Sequence, residues 1–218
     1  MSFQMIHMEV AYRVMKRFGI SEGMPEFILG SVLPDSVHMR DDYSLDQKIR
    51  SHLFEGCGPW GEPDDYTRWM ENINAFRDKY IKKAAEIKEK MLIEGIFVHC
   101  ITDYWNDITI WNGTRREYVP AMPPDEFKEM FYKEAAAIDK WLYQNSEHTE
   151  EIMELLSSSD EMGLEGYYTA EDAGRIKNHL LNVQYNVPEV DISGFMCFTE
   201  DKLSKFLDDV SAYISIDL

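Results

Sequence analysis

Cysteine is scarce and positive charge scarcer relative to negative. The three cysteines, Cys57, Cys100 and Cys197, are widely spaced, and no two form a CxxC pair. That excludes a thiolate zinc ribbon and fits reduced thiols in a cytosol better than a disulfide framework. No apolar run approaches the roughly 18 residues that span a bilayer. The opening MSFQMIHMEV lacks a basic stretch, an apolar run and a small-residue cleavage site, so no secretory leader is expected. These absences together lead to the expectation of a soluble, cytoplasmic protein without stable membrane insertion. Lys and Arg number 22 against 40 Asp and Glu, giving a formal net charge of -18 and a pI near 4.6. A chain so acidic has no basic stripe for phosphates, which disfavours general nucleic-acid binding and docking on an anionic membrane. A multivalent cation held inside would offset that charge locally and recruit a phosphate group that the surface repels. Internal repeats, low-complexity tracts and period-2 strand patterns are also missing.

What remains is hydrophobic and helical. The 218 residues are 44% hydrophobic, enough for one sizeable core, and no linker divides them. A single all-α domain over residues 1–218 is expected, a compact bundle around a buried metal site. Met5, Met8, Val10, Ala11, Val14 and Met15 recur at helical spacing and predict a first helix over about residues 3 to 18. Pro25, Gly30 and Pro34 punctuate the next segment, predicting a short helix or turn and then an extended, constrained loop. A short helix near 44–54 is followed by a glycine- and proline-rich break. Asp64 or Asp65 then caps a helix with Tyr66, Trp69, Ile73, Phe76 and Tyr80 on one face. A further helix over about 84–111 is nearly continuous with it. Helices over about 125–144, 147–157, 169–186 and 199–213 complete the chain.

Six histidines are present: His7, His38, His52, His99, His148 and His179. His99 and Asp103 are four residues apart on an apolar helix, about 40° apart around the axis and roughly 6 Å along it. Both reach one ion, or they form a hydrogen-bonded pair that only joins helices. A buried aspartate needs a cation or hydrogen bonds either way. Asp35 follows an apolar run on backbone stiffened by Pro34, as a preorganised ligand or as a turn cap. His38 faces the same ion or bonds a carbonyl. His52 and His7 each suit a core histidine when taken alone, and a ligand when taken with the others. An Asp and His set without thiolate suits zinc, with manganese or iron as alternatives. Cys100 points about 100° from His99 and belongs to the core. His148 is expected in solvent and His179 in the core.

In order, His7, the LGSVLPD segment ending at Asp35, the SH at Ser51–His52 and the GxxxHxxxD from Gly95 to Asp103 resemble the zinc-dependent phospholipase C family, especially its shorter bacterial branch. That family is related to the fungal and plant single-strand nucleases. The resemblance spans roughly residues 5 to 107; the remainder, from about 120 to 218, is similar only in being helical. It implies helices around a cluster of metal ions, with Asp35, His52, His99 and Asp103 on a first ion. It implies His7 on a second, with Asp103 bridging, while His38 has no firm counterpart and is added for its place in the loop. The chain departs from the secreted enzymes in two ways. It has no leader whose removal would free an N-terminal ligand, and no His–His–Glu group after Asp103, so one or two ions are expected.

The implied activity is hydrolysis of a phosphodiester or phosphate ester, small or lipid-like, by a metal-activated water, with Asp35 and Asp103 as the catalytic carboxylates. Arg40 or Arg50 would hold a phosphate oxygen, or both are surface charges. The alternatives are a non-catalytic metal-binding protein, a helical scaffold, or a phosphohydrolase of the HD type, although the chain has no HD dipeptide.

Overall fold

In a computed structural model of the protein the described residues are 3–216; Met1, Ser2, Asp217 and Leu218, and with them the ends of the expected 1–218 unit, lie outside them. The protein is all-α: ten α-helices and three short 3-10 or π turns, with no strand among the described residues and one isolated bridge between Leu164 and Tyr168.

Two helices form the centre. Helix α1 (Gln4–Phe18) is buried continuously from Gln4 to Tyr12, and Gly19, at φ 65°, closes it in the left-handed conformation. Because neighbours cover it on every side, its apolar stripe is wider than the amphipathic pattern requires. Helices α2 (Met24–Gly30) and α5 (Ile87–Asn106) cross with their backbones in contact. A Cβ at Gly30 would lie 2.3 Å from the Leu92 carbonyl oxygen, and one at Gly95 would lie 2.2 Å from that of Phe27. Only glycine fits either position.

After α2 the chain forms a 3-10 helix, Leu33–Met39, where an extended loop was expected. Pro34 explains the difference. It occupies the first turn, where its fixed φ is helical and its missing N–H is not needed. Helix α3 (Leu45–Ser51) begins with a capping box of Ser44 and Gln47. It ends at His52 and at Leu53, whose φ of 58° is the one positive value at a non-glycine residue among the described residues. The Phe54 N–H donates to the Ile49 carbonyl at 2.8 Å and that of Leu53 to Arg50 at 3.1 Å, the paired bonds that close such an end.

Asp65 caps α4 (Tyr66–Ile81), accepting from the Arg68 N–H at 2.8 Å. Trp69, Ile73 and Phe76 are buried on its inner face, while Tyr66 and Tyr80 are half-buried. Near-continuity with α5 does not hold, because a capping box of Glu86 and Glu89 starts α5 afresh. Helix α5 runs into a π turn, Asp107–Trp111, and on into α6 (Asn112–Tyr118), an extension the sequence reading ended at Trp111. Helices α7 (Pro124–Asn145), α8 (Thr149–Ser158), α9 (Ala170–His179) with its π turn Leu180–Gln184, and α10 (Glu200–Tyr213) follow. Helices α7, α8 and α10 pack around α1, and α9 packs on the 3-10 helix.

Candidate metal centre

The two central helices, the 3-10 helix and the end of α3 each deliver one or two polar side chains to one buried point. His7 comes from α1, Asp35 from the 3-10 helix, His52 from the α3 terminus, and His99 and Asp103 from α5. All five are at most 5% exposed. Asp103 lies between the three imidazoles. Its Oδ1 is 3.4 Å from His7 Nε2, and its Oδ2 is 3.5 Å from His52 Nε2 and 3.8 Å from His99 Nε2. Asp35 Oδ1 is 3.2 Å from His52 Nε2. The rings of His7 and His99 stack with centroids 3.9 Å apart. Two sets of ligand atoms converge within 4.8 Å: His7, His99 and Asp103, and Asp35, His52 and His99.

The outward nitrogen of His99 decides what the inward one carries. His99 Nδ1 donates to the Ser31 carbonyl at 2.8 Å, and His52 Nδ1 lies 3.0 Å from the Lys48 carbonyl. A carbonyl oxygen only accepts, so in a neutral His99 ring Nδ1 holds the hydrogen and Nε2 presents a lone pair. His52 also meets Ser51 Oγ at 2.7 Å through Nδ1 and Asp35 Oδ1 at 3.2 Å through Nε2, so either of its nitrogens can carry the hydrogen. The His99 Nε2 atom is fully buried and has no hydrogen-bond partner, and so is His7 Nδ1. Burial, and after it the neighbouring His7, pushes His99 down from 6.5 to about 3. Burial likewise lowers His52, against the hydrogen bond and charge of Asp35 and Asp103 that raise it. Burial would raise both carboxylates. Contacts with His7, His99 and His52 outweigh it at Asp103, and Asp35 too is held well below the usual range, first by the positive charge of the chain's amino terminus and then by the hydrogen bonds of His38 and His52. The lone pair of His99 Nε2 therefore faces the ionised Asp103 carboxylate, an arrangement that repels unless a cation lies between them. The donor set of imidazole nitrogen and carboxylate oxygen, with His99 and His52 against backbone carbonyls, could hold a metal ion.

His38 stays at the rim. It is 26% exposed, its Nδ1 is 3.1 Å from the Asp35 carbonyl and 3.4 Å from the Asp35 carboxylate, and neither ligand set includes it. Arg40 does not point to the centre: it is committed to Asp172, with contacts of 2.9 and 2.5 Å. Arg50 is exposed and lies over the Tyr167 ring, 5.2 Å from its centroid. His148, expected in solvent, is half-buried against Glu9 at 2.8 Å. His179 is also half-buried, and Cys100 is in the core.

Two neighbours escaped the sequence reading. Gln4 donates to Asp35 Oδ2 at 3.3 Å, and its place three residues before His7 on one helix was the available signal. Asp107, four residues beyond Asp103, repeats the spacing that marked His99 and Asp103. With Asp103 and Asn106 it lines a narrow cleft walled by Phe54, Trp60, Trp69, Trp111, Phe131 and Tyr132. The space inside, about 20 Å³, is that of one water molecule. A roomier hollow of about 510 Å³, between Tyr80 and Met162, touches none of the six expected ligands.

No protein-family model matches the chain, and neither does any curated protein or solved structure.

Proposed function

We propose that the protein is a metal-dependent hydrolase of phosphodiesters or other phosphate esters, in the manner of the zinc-dependent phospholipases C. The observation that carries the reading is the buried lone-pair nitrogen of His99, Nε2, turned toward the buried ionised Asp103 carboxylate with His7, His52 and Asp35 gathered round it. Asp35, His52 and His99 would hold one ion, or His7, His99 and Asp103 would, the single lone pair of His99 serving one ion at a time, zinc first among the candidates, manganese or iron next. Bound there, a divalent ion makes water acidic at neutral pH and stabilises charge on a phosphoryl oxygen.

The protein's own groups do the rest. Asp35 and Asp103 remain ionised at neutral pH, so a carboxylate oxygen of either accepts a hydrogen from the attacking water and aims it. The hydrogen bond from His99 to Ser31 keeps its ring in one orientation throughout. The cleft beside Asp103 is where the scissile ester enters, and its aromatic walls exclude bulk water. A phosphoester, small or lipid-like, is drawn by the ion and not by the surface, whose net charge is -18. Three buried free cysteines suit a reducing compartment such as the cytoplasm.

One observation favours a second reading, a protein that holds metal without turnover: the cleft as it stands admits about one water. Zinc-loaded protein assayed on aryl phosphodiesters separates the two. Turnover that His99→Ala abolishes supports the hydrolase. Stoichiometric zinc with no turnover on phosphodiesters or monoesters overturns it in favour of the second reading.

A further inference from the structure

Asp107 sits one helical turn beyond Asp103, at the start of the π turn that interrupts the α5–α6 helix. Such one-turn widenings are rare and concentrate at functional sites. Here the widening sets Asp107 and Trp111 on the wall of the cleft that Asp103 also lines. Asp107 is 9% exposed, and only one of its carboxylate oxygens is engaged. Oδ2 accepts from the Tyr66 hydroxyl at 2.5 Å and from Asn112 Nδ2 at 3.0 Å. Tyr66 and Asn112 also bond each other at 2.7 Å, so the carboxyl plane is held from two helices. Among the described residues no hydrogen bond reaches Oδ1.

We propose that Asp107 is the general acid of the hydrolytic reaction, protonating the departing ester oxygen from Oδ1; the proposal rests on the hydrolase reading. As water adds its oxygen to phosphorus, the bond from phosphorus to the leaving oxygen breaks with its electron pair on that oxygen. The Asp107 proton transfers to it, releasing a neutral alcohol. The proton lost by water passes to solvent, and Asp107 regains one from solvent through the cleft.

The surroundings suit the role. Burial pushes the Asp107 carboxyl up from its ordinary 3.8 to about 6, the nearby Asp103 charge raises it further, and the hydrogen bonds from Tyr66 and Asn112 oppose them. Arg115 of α6 is the nearby cation, and it lowers the value only after those effects, being partly committed to Glu62 at 2.9 Å. Tyr132 of α7 faces the same two carboxylates, and burial together with their charge keeps its phenol neutral. A carboxylic acid that titrates near the working pH is a competent proton donor, whereas Asp35 and Asp103, held ionised, have no proton to give. The division of labour between carboxylates thus follows from their surroundings: the histidines keep two charged, and the aromatic cleft keeps the third able to hold a proton.

The test compares leaving groups. Zinc-loaded wild type and Asp107→Asn are assayed on p-nitrophenyl methyl phosphate, whose phenolate departs without a proton, and on a dialkyl glycerophosphodiester, whose alkoxide needs one. The expected loss in Asp107→Asn is roughly 100-fold or more on the dialkyl ester and only severalfold on the aryl ester. Equal losses on both, or none, overturn the role while leaving the hydrolase reading intact. No wild-type turnover of either ester overturns both. An infrared difference titration of the metal-free protein, wild type minus Asp107→Asn, gives a readout independent of activity. A protonated carboxyl band vanishing with a midpoint near 6 is expected, and one near 3.8 overturns the proposal.

Discussion

At the scale of single residues, the account turns on which nitrogen of His99 carries hydrogen. The residue that fixes this is not visible as a motif, because Ser31 contributes a backbone carbonyl that any side chain would leave in place. The cluster of candidate ligands was legible. Five of the six expected positions meet, since apolar neighbours and i, i+4 spacing are sequence properties. His38 was not separable, because three residues after Asp35 it fits either a ligand or a carbonyl partner until the 3-10 turn is known. Gln4 is the most accessible test at this scale. Its side chain steadies Asp35 without being a donor in either ligand set. Gln4→Ala is expected to weaken zinc binding about 10- to 100-fold, as lost outer partners do, with stoichiometry preserved. Competition with a zinc chelator measures it, and an unchanged affinity would remove Gln4 from the site.

At the scale of elements, the crossing of α2 and α5 sets the Ser31–His99 hydrogen bond. Gly30 and Gly95 permit the backbone contact, and either Cβ would push the helices apart. Gly95→Ala is accordingly expected to cost ~1–3 kcal/mol despite the better helix propensity of alanine. It should also weaken zinc binding, because His99 would lose its anchor. Urea unfolding together with zinc titration checks both effects; a stabilised variant would contradict the crossing. Helix existence and most bounds were legible from periodicity and, as at Asp65, from a cap. The 3-10 helix was not, because proline and glycine mark a break equally well in a loop and in a short helical turn. The π turn at Asp107 was not either: its single extra residue depends on how Tyr66, Asn112 and the aromatic walls pack, and it leaves no periodic trace.

At the scale of the whole molecule, two buried features make opposing demands on pH. Asp139 on α7 is 1% exposed and accepts from the Ile6 N–H at 3.1 Å and the Tyr185 hydroxyl at 3.0 Å. Burial, against those hydrogen bonds, raises its carboxyl from 3.8 to about 7. Between those values the folded protein holds a proton that the unfolded chain has lost, so this residue's contribution to stability falls as pH rises from about 4 to about 7. His99 has the opposite sign. Its lowered value means that the unfolded chain takes up a proton first, so stability is lost as pH falls from about 6.5 toward 3. Asp139→Asn should therefore gain stability relative to wild type at pH 8 compared with pH 5, by ~2–4 kcal/mol at most. Denaturant unfolding at both values checks it, and a pH-independent difference would refute the assignment. An ion bound at the centre would stabilise the whole fold by mass action, by ~4 kcal/mol at a thousand-fold excess over its dissociation constant. For a chain of this size that corresponds to a rise of roughly 10 °C in Tm on adding zinc, reversed by chelator.

The central claim is that side chains from four separate elements share a metal. Elemental analysis of purified, tag-free wild type, Asp35→Ala and His99→Ala tests it most directly. The account predicts near-stoichiometric zinc, manganese or iron in the wild type and its loss in both variants, although the substituted residues are 64 positions apart on different helices. Wild-type protein that stays metal-free even after reconstitution would contradict it and return the five residues to a buried hydrogen-bonded cluster.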